Sequence, residues 1–342
     1  MLDQPLRIVG APGSPYSRKL RALLRYRRIP HLWVVRGSPE SRGLPAPRVE
    51  LLPQLILPGP DAKPEARIDS TPLIRELESL VPGRAAIAPD PVVALLDTLL
   101  EDYADEWLTK AMFHYRWAYE PDIARAAAIL PRWFRSNQPE SEALAAGKVF
   151  AERQIERLWV VGSNETTASV IEDSYRRCLE LLDRHLTEFR FVMGGRPGAS
   201  DFGIYGQLTQ LVGFDPTPAA IALETAPRVV AWVDLVEDLS GAEPDEGDWM
   251  TRERVPDSFR ALLGEAARVY VPFLVANASA VEAGAERVEC TIDGRTWVQR
   301  PFPYQARCLR WLREGHAALE AGDRRDADAI LAGTGWERLF AQ

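Results

Sequence analysis

The sequence predicts an α/β domain built on a small mixed sheet, then an all-α helical domain, then a mostly helical C-terminal extension. Three observations carry this reading. Short apolar runs and amphipathic runs alternate over the first 85 residues. Pro89-Asp90-Pro91 then interrupts the chain as a linker. Beyond it, apolar residues recur almost wholly at helical spacing.

Leu6–Gly10 reads as a buried strand. Pro15–Ile29 reads as a helix with Leu20, Leu23 and Leu24 on one face. His31–Arg36 is a second strand, and a loop rich in glycine, proline and serine follows to Pro47. Gln54–Leu57 and Ala66–Asp69 are the third and fourth strands, and Thr71–Leu80 is a helix closed by Val81-Pro82-Gly83. A βαβ unit followed by ββα requires a mixed sheet with helices packed on it. Val92–Trp117 reads as one long amphipathic helix, with Leu95, Leu99, Tyr103 and Trp107 in register. Further helices are expected at Glu140–Arg157, Thr167–Glu188, Ser200–Val212 and Pro227–Leu239. The acidic stretch Ala242–Asp248 breaks the pattern. After it come a helix over Pro256–Ala283, kinked or broken at Pro272, and a hairpin turning at Asp293-Gly294. Helices at Pro303–Ala321 and Arg325–Gly333 complete the chain. The expected boundaries are 1–85, 92–239 and 240–342.

At 342 residues the chain exceeds what one core usually organises, consistent with that division. A net charge of −8 sets aside nucleic acid as a partner. Arg25, Arg27 and Arg28 read as a solvated helix face. Three widely spaced cysteines, without a CxxC pair, indicate neither a disulfide framework nor a zinc site. The four histidines form no metal-ligand pair and read as surface or partly buried residues. No stretch is long and apolar enough for a membrane span, and Met1–Gly10 does not read as a leader. A cytoplasmic location is the default expectation, with no metal, nucleic acid or membrane partner.

The chemistry concentrates where the first strand meets the first helix, at Ser14-Pro15-Tyr16-Ser17. Ser14 stands at an N-cap and Pro15 at N1, which favours helix initiation. The same place favours an anion, because a helix start carries unpaired N–H groups and partial positive charge. SPYS is also the CPYC redox pattern with both sulfurs replaced by hydroxyls, so any reacting thiol must come from a ligand. Pro53 opens the third strand without an N–H to donate, at a kind of position where cis bonds occur. A cis bond would turn the backbone of Leu52 outward, towards an extended peptide-like ligand. Asp69-Ser70-Thr71-Pro72 opens a second helix. Capping alone accounts for it. Equally, Ser70 and the helix start suit a carboxylate while Asp69 suits an ammonium.

GAPGSPYSRKLRAL, the proline of LLPQLIL, and IDSTPLIREL together resemble the thioredoxin-like, glutathione-binding domain of cytosolic glutathione S-transferases. FVMGGRPGASDFGIYGQL is similar to that family's segment in which a capping box with a buried aspartate opens a core helix. APDPVVALLDTLLEDYADEWL resembles the start of the helical domain in bacterial members. Each motif is weak alone. In this order and spacing, over roughly residues 5–239, they are specific. The last hundred residues lie outside the resemblance.

The resemblance implies a serine-type glutathione S-transferase fold. Glutathione would be the co-substrate, a hydrophobic electrophile the second substrate, and a cytoplasmic homodimer acting in detoxification the setting. It places Ser14 as the catalytic hydroxyl, with Ser17 as second choice. Leu52, beside Pro53, would bond the cysteinyl backbone of glutathione. Asp69 and Ser70 would hold the γ-glutamyl group. Asp201 would be structural. Trp107, Met112, Tyr115 and Trp117 would line the electrophile pocket, although an aromatic stripe of this kind is more often core. Outside the resemblance, Trp297, Phe302 and Tyr304 of the extension are candidate cover. Dimer contacts would come from the first domain and the helix Val92–Trp117. Three departures stand out. The capping position is Gly198 rather than Ser or Thr, the loop Leu57–Arg67 is long, and no basic residue clearly matches a holder of the glycyl carboxylate. Arg36, Arg42 and Arg48 are the candidates for that last role, and Arg18 could add positive field at Ser14. Glutathione-dependent ether cleavage or isomerisation, and a non-catalytic binding protein, are the alternative functions.

Overall fold

The computed structural model describes residues 4–59 and 63–340. Four strands, β1 (Leu6–Gly10), β2 (His31–Val35), β3 (Gln54–Pro58) and β4 (Pro64–Ile68), form one mixed sheet in the order β2-β1-β3-β4. β1 runs parallel to β2 because α1 (Pro15–Tyr26) makes the crossover between them. β3 is antiparallel to both β1 and β4. The tip of the long loop between β3 and β4 lies outside the described residues. α2 (Ser70–Leu80) closes this unit. Leu20, Leu23 and Leu24 of α1 are fully buried, as their spacing requires.

The stretch expected as one helix from Val92 to Trp117 is two helices joined by a π turn. These are α3 (Pro91–Tyr103) and α4 (Thr109–Ala118), with the turn at Ala104–Leu108. A π turn lengthens the hydrogen-bond ladder and leaves carbonyls to other donors. The carbonyl of Asp105 accepts from the Tyr16 hydroxyl at 2.8 Å, and that of Glu106 accepts from Gln305 at 3.2 Å. A helix absent from the expectation follows, α5 (Glu120–Phe134), paired with α6 (Glu140–Ile155). Then come α7 (Ala168–His185), α8 (Ala199–Leu211), α9 (Pro216–Thr225) and α10 (Pro227–Val236).

The missing capping hydroxyl at Gly198 is replaced from another helix. Both carboxylate oxygens of Asp97, on α3, accept backbone N–H groups at the start of α8, from Ala199 and Ser200, each at 2.9 Å. Asp201 takes the N–H groups of Val192 at 2.7 Å and Gly198 at 2.9 Å. A Cβ at position 198 would stand 2.6 Å from Asp97 Oδ1. The glycine therefore makes room for the substitute cap.

The extension adds α11 (Asp257–Glu282), a hairpin of β5 (Val288–Ile292) and β6 (Arg295–Gln299), and α12 (Pro303–Ala317), α13 (Ala321–Leu331) and α14 (Glu337–Phe340). α11 continues through Pro272 instead of breaking there. Asp293 and Gly294 both have positive φ, at 52° and 74°, as a two-residue hairpin turn requires. The extension has no core of its own, since its apolar residues join one continuous cluster with those of the sheet and of α3. Arg252 bonds Asp90 at 2.6 Å, Tyr270 bonds Asp102 at 2.7 Å, and Trp297 packs 5.1 Å from Trp107. The surface of the 91–118 segment expected to meet a second copy is thus covered by the chain itself. Arg27 also departs from the solvated face expected of it: it is buried against Glu78 at 3.2 Å. His114 and His185 are buried and hydrogen-bonded, not surface residues.

Candidate glutathione-binding site

The sheet register gathers three segments at one edge. Val9 pairs with Gln54, and Gln54 with Ile68. The loop after β1, the residues before β3 and the residue after β4 therefore sit side by side, carrying Ser14, Leu52-Pro53 and Asp69-Ser70.

Ser14 is the N-cap of α1, with extended backbone at φ −101° and ψ 116°. Its Oγ accepts the Ser17 N–H at 3.3 Å. Capping uses only the oxygen, so the hydroxyl hydrogen stays available to an anion at the helix start. The two roles that the sequence left open are compatible. Ser17 does not share this position. It is fully buried, and its Oγ accepts the Ala11 N–H at 3.3 Å, which ties the loop to the helix. Arg18 is paired with Glu237 at 3.3 Å, a carboxylate it shares with Arg21 and Arg25.

The Leu52–Pro53 bond is cis. Among the described residues no group bonds the N–H or C=O of Leu52, so both are open to a ligand. Asp69 has φ 78°, a left-handed conformation uncommon for a non-glycine residue. Its side chain does not cap α2. The neighbouring Ser70 is buried.

A buried ionic cluster sets the position of this edge. Lys19 Nζ lies 2.7 Å from Glu101 and 2.5 Å from Asp105, and 3.2 Å from the Thr71 hydroxyl. Arg75 holds the other oxygen of Glu101 at 2.5 Å. Burial disfavours the Lys19 ammonium, but Asp105 and Glu101 more than offset it and raise the pKa. The cluster clamps α1 and α2 onto α3, and Thr71 is the residue after Ser70. Nothing in the local sequence around Lys19 marks it, because its carboxylate partners lie more than eighty residues away.

The residues expected to line the electrophile pocket have little exposed surface. Trp107, Met112 and Tyr115 are all buried within the core. Trp107 donates to Ser174 at 3.1 Å and packs on Trp297 and Phe273. Tyr115 is surrounded by Tyr119, Tyr175 and His114. Trp117 packs with Phe150 in a second apolar cluster. The apolar side chains that reach the Ser14 loop come from α5. A Cβ on Gly13 would stand 2.7 Å from Leu130 and 2.9 Å from Trp133. Pro121 near the helix start and the spacing of Ile123, Ala126, Leu130 and Trp133 were the signals available in the sequence. Of the candidate covers, Trp297 is core, Phe302 is exposed and Tyr304 reaches Asp69. Arg36 pairs with Glu50 at 2.9 Å, while Arg42 and Arg48 are exposed.

Residues 8–85 match the model of the glutathione S-transferase N-terminal domain, and residues 141–235 that of the glutathione S-transferase C-terminal domain. No curated protein matches the chain. Among solved structures, a glutathione transferase family member from Pseudomonas fluorescens Pf-5, with two glutathione bound, is 16% identical. That likeness has a TM-score of 0.37 and covers 70% of this chain and 94% of the other. A glutathione S-transferase from Rhodospirillum rubrum F11 is 18% identical, with a TM-score of 0.40 and coverage of 75% and 91%. FzlA from C. crescentus is 15% identical, with a TM-score of 0.41 and coverage of 76% and 92%. The two family models together span just over half of the chain, which belongs to the glutathione S-transferase family.

Proposed function

We propose that the chain binds glutathione at this sheet edge and activates its thiol, through Ser14, for attack on a hydrophobic electrophile. One observation chiefly supports the reading. A hydroxyl with its hydrogen available stands at the start of α1, beside an unpaired Leu52 backbone and a carboxylate at Asp69. A free thiol has a pKa near ~8.5, so lowering it by about two units requires about 2.7 kcal/mol of preference for the anion. One hydrogen bond to a charged group supplies ~1.5–3 kcal/mol. Ser14 with the helix start therefore suffices, and no general base is needed. The thiolate would then attack an electrophilic carbon, with Leu130 and Trp133 of α5 as the apolar wall. Glutathione-dependent ether cleavage or isomerisation would use the same thiolate. The burial of Trp107, Met112 and Tyr115 supports a second reading, a protein that binds glutathione without turnover. A cytoplasmic homodimer would need a face other than the 91–118 segment.

The test is a pH titration of thiolate absorbance in the glutathione complex. Ser14→Ala should raise the bound thiol pKa by about one to two units, at about 1.36 kcal/mol per unit, whereas Ser17→Ala should not. No rise for Ser14→Ala leaves Ser14 as a cap and favours the binding protein. Asp69→Ala should weaken glutathione by ~1.5–3 kcal/mol, the contribution of a charged hydrogen bond. Unchanged affinity by calorimetry would remove Asp69 from the site.

A further inference from the structure

Tyr304 comes from the extension, 235 positions beyond Asp69, and its hydroxyl donates to Asp69 Oδ2 at 2.7 Å. No other described residue bonds the Asp69 carboxylate, so the phenol alone sets its orientation, and Oδ1 stays uncommitted. Burial and the Asp69 charge push the Tyr304 phenol well up, which keeps it a donor.

The contact is built rather than incidental. Tyr304 stands in the first turn of α12, and that turn is anchored on both sides. Asn277 bonds the N–H of Phe302 at 2.8 Å and its carbonyl at 3.0 Å. The buried Gln305 donates to the Glu106 carbonyl at 3.2 Å, and Cys308 and Leu309 are buried behind it. The ring itself is held by Arg307, 4.8 Å from its centroid, and by Trp311 edge-on at 6.3 Å. Such anchoring suits a fixed wall of a site better than a loose cover.

A carboxylate has about four acceptor positions, of which the phenol uses one. Once its hydrogen points at Oδ2, the phenolic oxygen keeps lone pairs of its own. An ammonium beside Asp69 would therefore meet two acceptors, Oδ1 and the Tyr304 oxygen.

We propose that Tyr304 is a positioning and specificity residue of the glutathione site: it orients Asp69 and, with it, reads the free amino group of the γ-glutamyl head. This rests on the glutathione-binding reading above. The extension then completes the ligand site from within the same chain.

The experiment measures binding of glutathione and of N-acetylglutathione, whose amine is blocked, to the full-length protein and to Tyr304→Phe. Calorimetry gives the affinities, and thermal melting confirms that the near-isosteric variant is folded. Wild type should prefer glutathione. Tyr304→Phe should lose about tenfold for glutathione, the equivalent of one ordinary hydrogen bond, and almost nothing for N-acetylglutathione. A variant that binds glutathione as well as or better than wild type overturns the inference while leaving the glutathione site standing. An equal loss for both ligands also overturns it, because Tyr304 would then be supporting the fold alone. A wild type that binds no glutathione overturns the underlying reading, and this one with it.

Discussion

Replacing Lys19 with methionine should cost the protein about 3–5 kcal/mol, the penalty typical of removing one partner from a buried ion pair. Lys19 is fully buried, and Glu101 and Asp105 around it are buried as well. Without the ammonium, Arg75 still holds one oxygen of Glu101, but Asp105 keeps only the Thr71 hydroxyl at 3.0 Å. Two carboxylates then face each other in a medium that solvates neither. The loss should appear in urea unfolding as a lower midpoint with an unchanged slope. Adding Asp105→Asn to the Lys19→Met background should restore part of the stability, because it removes the orphaned charge. Destabilisation below about 1 kcal/mol would mean that water or a rearranged Arg75 neutralises the cluster. A variant that remains folded should also bind glutathione more weakly, since the cluster clamps Thr71 beside Ser70.

Asp97→Ala should cost about 3 kcal/mol, because it orphans two buried N–H groups at about 1–3 kcal/mol each. This exceeds the loss of an ordinary exposed cap, about 1 kcal/mol. The arrangement makes a sharper, non-additive prediction. Gly198→Ser alone should destabilise, since its Cβ would be 2.6 Å from Asp97 Oδ1 and 2.5 Å from Met193. In the Asp97→Ala background the same serine should cost clearly less, because the carboxylate is gone and the hydroxyl can cap α8, so that only Met193 must still give way. A double-mutant cycle measures the coupling. Simple additivity of the two substitutions would show that Asp97 and Gly198 are independent, and would refute the substitute cap.

Several features were legible from local patterns. The strand and helix order of the first 80 residues follows from apolar spacing, because each element buries one face against the same small sheet. Ser14 as an N-cap and the Asp293-Gly294 turn are decided by the φ/ψ preferences of a few residues. The Gly198 departure was visible, but its consequence was not. Asp97 lies a hundred positions earlier, and nothing near it says where its carboxylate points. The burial of the expected pocket residues was not legible, for a related reason. Trp107, Met112 and Tyr115 show the spacing of a helix face, and spacing cannot say whether that face meets solvent or another helix. Helix α11 and the hairpin cover Trp107, and Tyr175 of α7 packs on Tyr115.

The sequence by itself determined the family, the order of the elements in the first 80 residues, and the placing of Ser14, Leu52-Pro53 and Asp69-Ser70 at element boundaries. Those depend on propensities and on motifs whose residues are near neighbours. Only the tertiary structure decided that Ser17 is sealed, that α5 borders the Ser14 loop, that Lys19 locks the first helix to the third, and that Tyr304 meets Asp69. Each of these depends on a contact between residues tens to hundreds of positions apart. Such contacts arise when whole elements pack, and the residues on either side carry no local sign of the partner they will meet.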